Sequence, residues 1–207
     1  MRALRLVLLA LTGAHLATTG VARAERGALT DAEAERLAQG ETVVRPASFD
    51  AGQARWIGGV TYTVFDVHCD RIRAELRDPT AYARLLPRVK SARLVGENDG
   101  DRFIEILHSV LDAVYTIRMR EDSPSSFRFW LDRGRPHDLD DAWGFTRLAE
   151  LTGEGGAPRC FVTYAILASL GESQVATLFE GRIRRAMLSL PALLRRRLAA
   201  APPKVPG

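Results

Sequence analysis

Val114-Tyr115-Thr116-Ile117-Arg118-Met119-Arg120, the turn Asp122-Ser123-Pro124-Ser125, and then Phe127-Arg128-Phe129-Trp130-Leu131 form the stretch whose reading decides the fold. Successive side chains of a strand point to opposite faces. Tyr115, Ile117 and Met119 therefore share one face, and Thr116, Arg118 and Arg120 share the other. In the same way Phe127, Phe129 and Leu131 oppose Arg128 and Asp132. Ser, Pro and Asp are residues that close tight turns. Strands joined by so short a turn lie antiparallel, because parallel neighbours need a long crossover.

Working outward, the same period of two begins at Ala92 and is punctuated by Asn98-Asp99-Gly100, Gly134-Arg135-Pro136 and Gly153-Glu154-Gly155-Gly156. The pattern predicts strands over about 92–97, 102–110, 113–121, 126–132, 142–151 and 159–169, a six-stranded meander. The turn near Leu111-Asp112-Ala113 has no glycine. Upstream, Val60 to Val67 is rich in β-branched and aromatic residues and predicts another strand. Asp70 is placed to cap a short helix carrying Ile72 and Leu76, and Pro79 starts a second through Tyr82, Leu85 and Leu86.

Downstream, Val175, Leu178, Phe179, Ile183, Met187, Leu190, Leu194 and Leu198 recur at spacings of about three and four, the stripe of a long helix. Pro191 lacks an amide hydrogen and predicts a kink. The order of strand, two short helices, six strands and one long helix defines an α+β domain. Its economical form is a curved seven-stranded antiparallel sheet wrapped on the C-terminal helix, with the first strand beside the last.

The flanks place this domain in a cell. Residues 1–24 run from Arg2 and Arg5 through an apolar stretch to Ala22-Arg23-Ala24, the order of a signal peptide cut after Ala24. Thr12, Gly13, His15 and Gly20 interrupt the stretch, which falls short of the roughly 20 apolar residues of a spanning helix. The expected location is periplasmic or secreted. Losing Arg2, Arg5 and Arg23 lowers the formal charge from +4 to +1, so nucleic acid is not an expected partner.

Residues 25–55 carry a capping box, Thr30 with Glu33, and a helix that Gly40 ends; they are read as a helical and extended clasp. The main domain is assigned to 56–199. The tail, 200–207, is rich in Ala and Pro and expected to be disordered.

With these elements in place, the chain resembles the START-like, or SRPBCC, superfamily of polyketide cyclase-like proteins and carriers of apolar ligands. The resemblance rests on Phe65-Asp66-Val67-His68-Cys69-Asp70 leading into a helix, on Asp78-Pro79-Thr80-Ala81-Tyr82-Ala83-Arg84-Leu85-Leu86-Pro87-Arg88-Val89, and on Tyr115 to Arg120. It spans roughly residues 57–198. It implies a helix-grip fold with a cavity between sheet and long helix, holding lipids, sterols, quinones or other apolar molecules. The signal peptide and the segment 25–55 depart from many intracellular members and count against an intracellular quinone role.

Alternation then nominates a lining for a small apolar or amphiphilic ligand. Tyr115, Ile117, Met119, Phe127 and Phe129 are expected inward, with Trp143, Phe145 and Arg147 from the next strand. Tyr164 on the last strand and Phe179 and Ile183 on the helix complete the set. A guanidinium on an apolar face needs an anionic partner, so Arg147, or else Tyr164, is the candidate to orient a ligand's polar end. The bland alternative is that all of them simply fill a core, since cores and pockets have similar linings.

His137 with Asp138, Asp140 and Asp141 offers the competing reading, a cyclase or hydrolase-type enzyme, because His titrates near neutrality. Against it, Asp is an ordinary turn residue, the spacing matches no calcium loop, and no second His stands nearby. No metal and no cofactor are expected: the chain lacks a phosphate-cradling glycine loop and a dinucleotide fingerprint. His68 and His108 have no nucleophile elbow beside them and are read as framework. Cys69 ends the first strand and Cys160 begins the last, so antiparallel pairing brings them together and leaves a disulfide open. Arginines 182, 184, 185, 195, 196 and 197 are read as a solvated face, with peripheral docking on an anionic membrane surface as the alternative.

Overall fold

The computed structural model describes residues 29–86, 88–109, 113–169 and 174–200. The signal-peptide, tail and Leu111-Asp112 turn readings lie outside the described residues.

The elements are α1 (Asp31–Ala38), β1 (Val43–Ala51), β2 (Ala54–Phe65), α2 (Cys69–Arg77), α3 (Pro79–Leu85), β3 (Val89–Asn98), β4 (Asp101–His108), β5 (Val114–Ser123), β6 (Ser126–Leu131), β7 (Asp141–Thr152), β8 (Pro158–Ser169), α4 (Gln174–Leu188) and α5 (Leu190–Ala200). Among the described residues all strands belong to one antiparallel sheet in the order β1-β2-β8-β7-β6-β5-β4-β3. β2 pairs with β8 from Trp56↔Ser169 to Phe65↔Cys160, which sets the first strand of the predicted order beside its last. The sheet has eight strands where seven were expected. The extra one, β1, arises within the segment read as a clasp: Val43 to Ala51 pairs along β2, ending in the tight turn at Gly52. Its burial pattern is weak because it is an edge strand, and Pro46 within it disguises it as a loop.

The sheet has a helix-facing inner side and an outer side. On the inner side Phe65, Ile104, Met119, Phe127, Leu148 and Val162 pack with residues of α2, α3 and α5 in one core. On the outer side α1 covers only one corner, where Leu37 and Val43 meet Tyr62, Val64, Ala149 and Phe161. The capping box forms as expected, Thr30 accepting from the Glu33 amide while Glu33 accepts from the Thr30 amide at 2.8 Å. Glu33 also takes a hydrogen bond from Arg45 at 2.8 Å, tying α1 to β1. That bond, then the Thr30 amide, holds the Glu33 carboxyl down at about 2.

The two short helices follow one another as read, broken at Asp78, whose carboxylate accepts from the Thr80 amide at 2.9 Å. The cap of α2 differs: His68 occupies it without a side-chain bond, and Asp70 lies inside the first turn, paired with Arg73. The α2 amide of Cys69 is instead met by Glu150 of β7 at 3.1 Å, a carboxylate favourably placed at a helix N-terminus. The terminal helix breaks at Ser189 into α4 and α5, with Pro191 in the first turn of the second piece, where a missing amide costs no helical bond. Thr61 of β2 donates to the Leu188 carbonyl at 3.2 Å and fastens that break to the sheet.

Candidate functional site

The inner face of β5 to β8, beneath the helices, is the candidate site. Met119 pairs with Phe129, Phe129 with Gly144 and Gly144 with Ile166, so these four form one row across the sheet. In the next row Phe127 pairs with Thr146 and Thr146 with Tyr164. The Phe129 and Tyr164 rings stack across the two rows, with centroids 6.1 Å apart. Tyr82 reaches down from α3, its hydroxyl donating to the Leu76 carbonyl at 2.9 Å and touching the Met119 sulfur at 3.7 Å. Tyr115, Ile117, Phe129 and Ile166 pack against this core yet remain only partly buried, although they face the helices.

Of the residues nominated from sequence, Tyr115, Ile117, Met119, Phe127, Phe129 and Tyr164 lie together on this inner face. Ile183 is half-buried on α4. It shares a helix face with Glu180, which meets Arg55 of β2, and with Met187, which packs near Leu131.

Four nominated residues point elsewhere. Trp143, Phe145 and Arg147 lie on the outer face, in register with Trp130, Arg128 and Ser126. Trp143 is 46% exposed, and the Arg147 guanidinium lies 4.8 Å from the Phe145 ring centroid on that same outer face. Contrary to expectation, Arg147 is therefore not placed to orient a buried polar end. The difference is one of parity: the inward set of β7 is the small one, Ala142, Gly144, Thr146 and Leu148, and the large side chains are outside. Phe179 is 38% exposed on the outside of α4, with Arg182 over its ring. Glu180, Ile183, Arg184 and Met187 take the sheet-facing side, while Phe179, Arg182, Arg185 and Ala186 take the solvent side.

The loop carrying His137 is spent on its own architecture. His137 Nδ1 is bonded with the Leu139 carbonyl at 2.7 Å, and Asp138 accepts from the Val114 amide at 2.7 Å. Asp141 pairs with Arg133 at 2.6 Å and also accepts from the Ala142 amide. Asp140 is exposed, its amide donating to the Ser169 carbonyl. Among the described residues no cluster of His, Cys, Asp and Glu is arranged to hold a metal ion.

Cys69 and Cys160 are joined by a disulfide across 4.9 Å between Cα atoms. It clips the start of α2 to β8 beside the Phe65 pairing, at the edge of the inner core.

Sequence reasoning missed Tyr82, Gly144 and Thr146 as parts of this floor. Tyr82 sits on a helix, outside any alternation argument. For the other two the signal was present in the glycine itself, since a strand glycine marks a close approach by another group.

Three hydroxyls end up in this apolar setting. Burial pushes the Tyr115 phenol up to about 12 and drives Tyr82 and Tyr164 further up, so all three stay protonated at any physiological pH. Tyr82 and Tyr164 belong to one core, and Tyr115 packs against it.

The architecture is the START-like, or SRPBCC, helix-grip fold: an open antiparallel sheet with two short helices after its first long strand and terminal helices across its inner face. A STAR-related lipid transfer protein from Xanthomonas axonopodis superposes with a TM-score of 0.56 at 17% identity, covering 75% of this chain and 98% of its own. The Zhui aromatase/cyclase from Streptomyces sp. R1128 gives 0.54 at 13% identity over 79% of this chain and 100% of its own. A protein from Thermus thermophilus gives 0.52 at 17% identity over 69% of this chain and 98% of its own. At such identities the likeness is one of fold. No family model and no curated protein matches the sequence.

Proposed function

We propose that the protein binds an apolar, lipid-like molecule between the inner face of the sheet and the terminal helices, and carries it outside the cytoplasm. The observation that carries this reading is the half-covered floor. Ile117, Phe129, Ile166 and Tyr115 point toward the helices, yet remain only partly buried among the described residues. Each fully buried side chain of that size is worth about 1.5–3 kcal/mol, so an apolar occupant that completes their burial is bound with substantial energy. Lipid transfer in the Xanthomonas relative's name lends support at the level of class.

Export is supported by the order of residues 1–24 and by the Cys69–Cys160 bridge, a bond that persists in oxidising compartments. Loading from a membrane is supported by the outer side of α4, where exposed Phe179 lies beside the exposed arginines Arg182 and Arg185. An aromatic ring flanked by guanidinium groups suits the headgroup layer of an anionic bilayer.

The test is native mass spectrometry of the protein recovered from its own host. A bound mass of a few hundred daltons that solvent extraction removes is the expected result. Protein that always carries no adduct, and takes up none from a lipid extract of that host, refutes the proposal.

A further inference from the structure

We infer that the ligand's buried end is a neutral hydrogen-bond acceptor, a ketone, quinone or ester carbonyl, received by the hydroxyls of Tyr115 and Tyr164; this rests on the apolar-ligand reading above and names its chemistry.

The three phenols of the inner face are not equivalent. Tyr82 spends its proton on the Leu76 carbonyl. Tyr115 and Tyr164 make no hydrogen bond with any described residue. Tyr164 is 4% exposed, held by its stack with Phe129. Among the described residues the polar atoms sealed from water without a hydrogen-bond partner are Glu75 Oε2 and Ser169 Oγ, so neither phenol oxygen is a stranded donor and each stays open to an incoming acceptor. Two such phenols, on a floor that is otherwise apolar and incompletely covered, mark the point where a ligand's polar atom belongs. Thr146, directly across from Tyr164 on the same face, adds a third hydroxyl at that level.

Charge decides the class of acceptor. The inward positions nearest Tyr164 are Thr61, Phe127, Phe129, Thr146, Val162 and Ile166, none of them ionisable; farther along the same row Glu121 is already paired with Arg77 at 2.7 Å. Arg147 lies on the other side of the sheet, over Phe145. Arg102 reaches the inner side at β4, where its guanidinium donates to the Arg77 carbonyl at 2.6 Å. A carboxylate or phosphate end would be buried beside neutral donors with no counter-charge, a heavy penalty in an apolar medium. A carbonyl oxygen carries two lone pairs and no net charge, so it can accept from neutral O–H donors without a counter-charge. The raised phenol pKa values agree, because these groups remain donors throughout the physiological range.

The experiment uses Prodan, a naphthyl ketone whose emission moves to the red when its carbonyl accepts hydrogen bonds. Its binding is measured with wild type, Tyr115→Phe, Tyr164→Phe, the double variant, and Tyr82→Phe as the control whose hydroxyl is already engaged. The expected result is binding to wild type, blue-shifted emission and about tenfold weaker binding in the double variant, and unshifted emission in Tyr82→Phe. Displacement by 2-heptadecanone should exceed displacement by hexadecanoate. Binding that keeps both affinity and emission in the double variant, or a clear preference for hexadecanoate, overturns the inference while leaving an apolar site intact. No Prodan binding to wild type, together with no displacement of any apolar probe, removes the apolar-ligand reading and the inference with it.

Discussion

The ring of Phe129 lies over Gly144 so closely that a Cβ at position 144 would stand 2.4 Å from its Cζ and 2.2 Å from the Ala165 carbonyl oxygen. This contact explains the inverted look of β7. Its inward residues are small because the neighbouring strand sends an aromatic ring across them, and its large residues are consequently outside.

Gly144→Ala should therefore be costly. The Phe129 ring must rotate out of its stack with Tyr164, and the backbone of β8 must shift as well. Overpacking of this kind costs about 1–3 kcal/mol. Urea unfolding measures it, and an unchanged midpoint would show that the close approach is not a feature of the folded protein.

Acid should weaken the fold through two carboxylates. Asp101 is 1% exposed and pairs with both Arg118 and Arg120. The Arg120 hydrogen bond, followed by that of Arg118, holds its carboxyl below the usual range despite burial. Glu33 is held at about 2 instead of 4.5 by Arg45. A carboxyl with a depressed folded pKa stabilises above its unfolded pKa and loses that contribution as the pH falls through the folded value. Stability should thus be flat above about pH 5 and decline between 4.5 and about 2. Asp101→Asn and Glu33→Gln should each shorten that decline while lowering stability at neutral pH. An acid limb identical in both variants would mean that neither pair contributes.

Reduction of the Cys69–Cys160 bond opens a loop of sequence separation 91 and frees α2 from β8. The expected loss is about 2–5 kcal/mol, read as a lower melting temperature with reductant or in the double Cys→Ser variant. A thiol assay on unreduced protein should find none; two titratable thiols would contradict the bridge.

Outer-face and loop substitutions should spare the ligand. Arg147→Met removes a guanidinium that stacks on Phe145 outside the sheet, and His137→Ala removes a ring bonded with its own loop at Leu139. Bound mass after gentle purification should match wild type in both. Its loss in Arg147→Met would return that residue to the site, and its loss in His137→Ala would make the loop part of it.

Fractionation of the native host should find the protein outside the cytoplasm with Glu25 as its first residue. A cytoplasmic protein that begins at Met1 would contradict the leader reading.

Much of the fold was legible because strand and helix periods are written directly in the residues. The turns at Asn98-Asp99-Gly100 and Asp122 to Ser125 fixed the meander, and Pro191 marked the helix break within two residues. β1 was not legible: an edge strand alternates poorly, and Pro46 resembles a loop signal. The site was half legible. On β5 and β6 the apolar set and the inward set coincide, so Tyr115 to Phe129 were placed correctly. On β7 both sets hold apolar residues, and only the packing of Phe129 against Gly144 decides between them. That is a tertiary fact, which alternation cannot supply. Phe179 failed for a similar reason, since an amphipathic stripe several residues wide leaves its border positions undecided.

The most direct measurement compares two tryptophan changes on opposite faces of one sheet. Ile166→Trp adds bulk to the incompletely covered inner floor, whereas Trp143→Ala removes bulk from the outer face. Native mass spectrometry of each, alongside wild type, should show the extractable mass lost in Ile166→Trp and retained in Trp143→Ala. Retention in the first and loss in the second would place the ligand on the wrong side of the sheet and contradict the account.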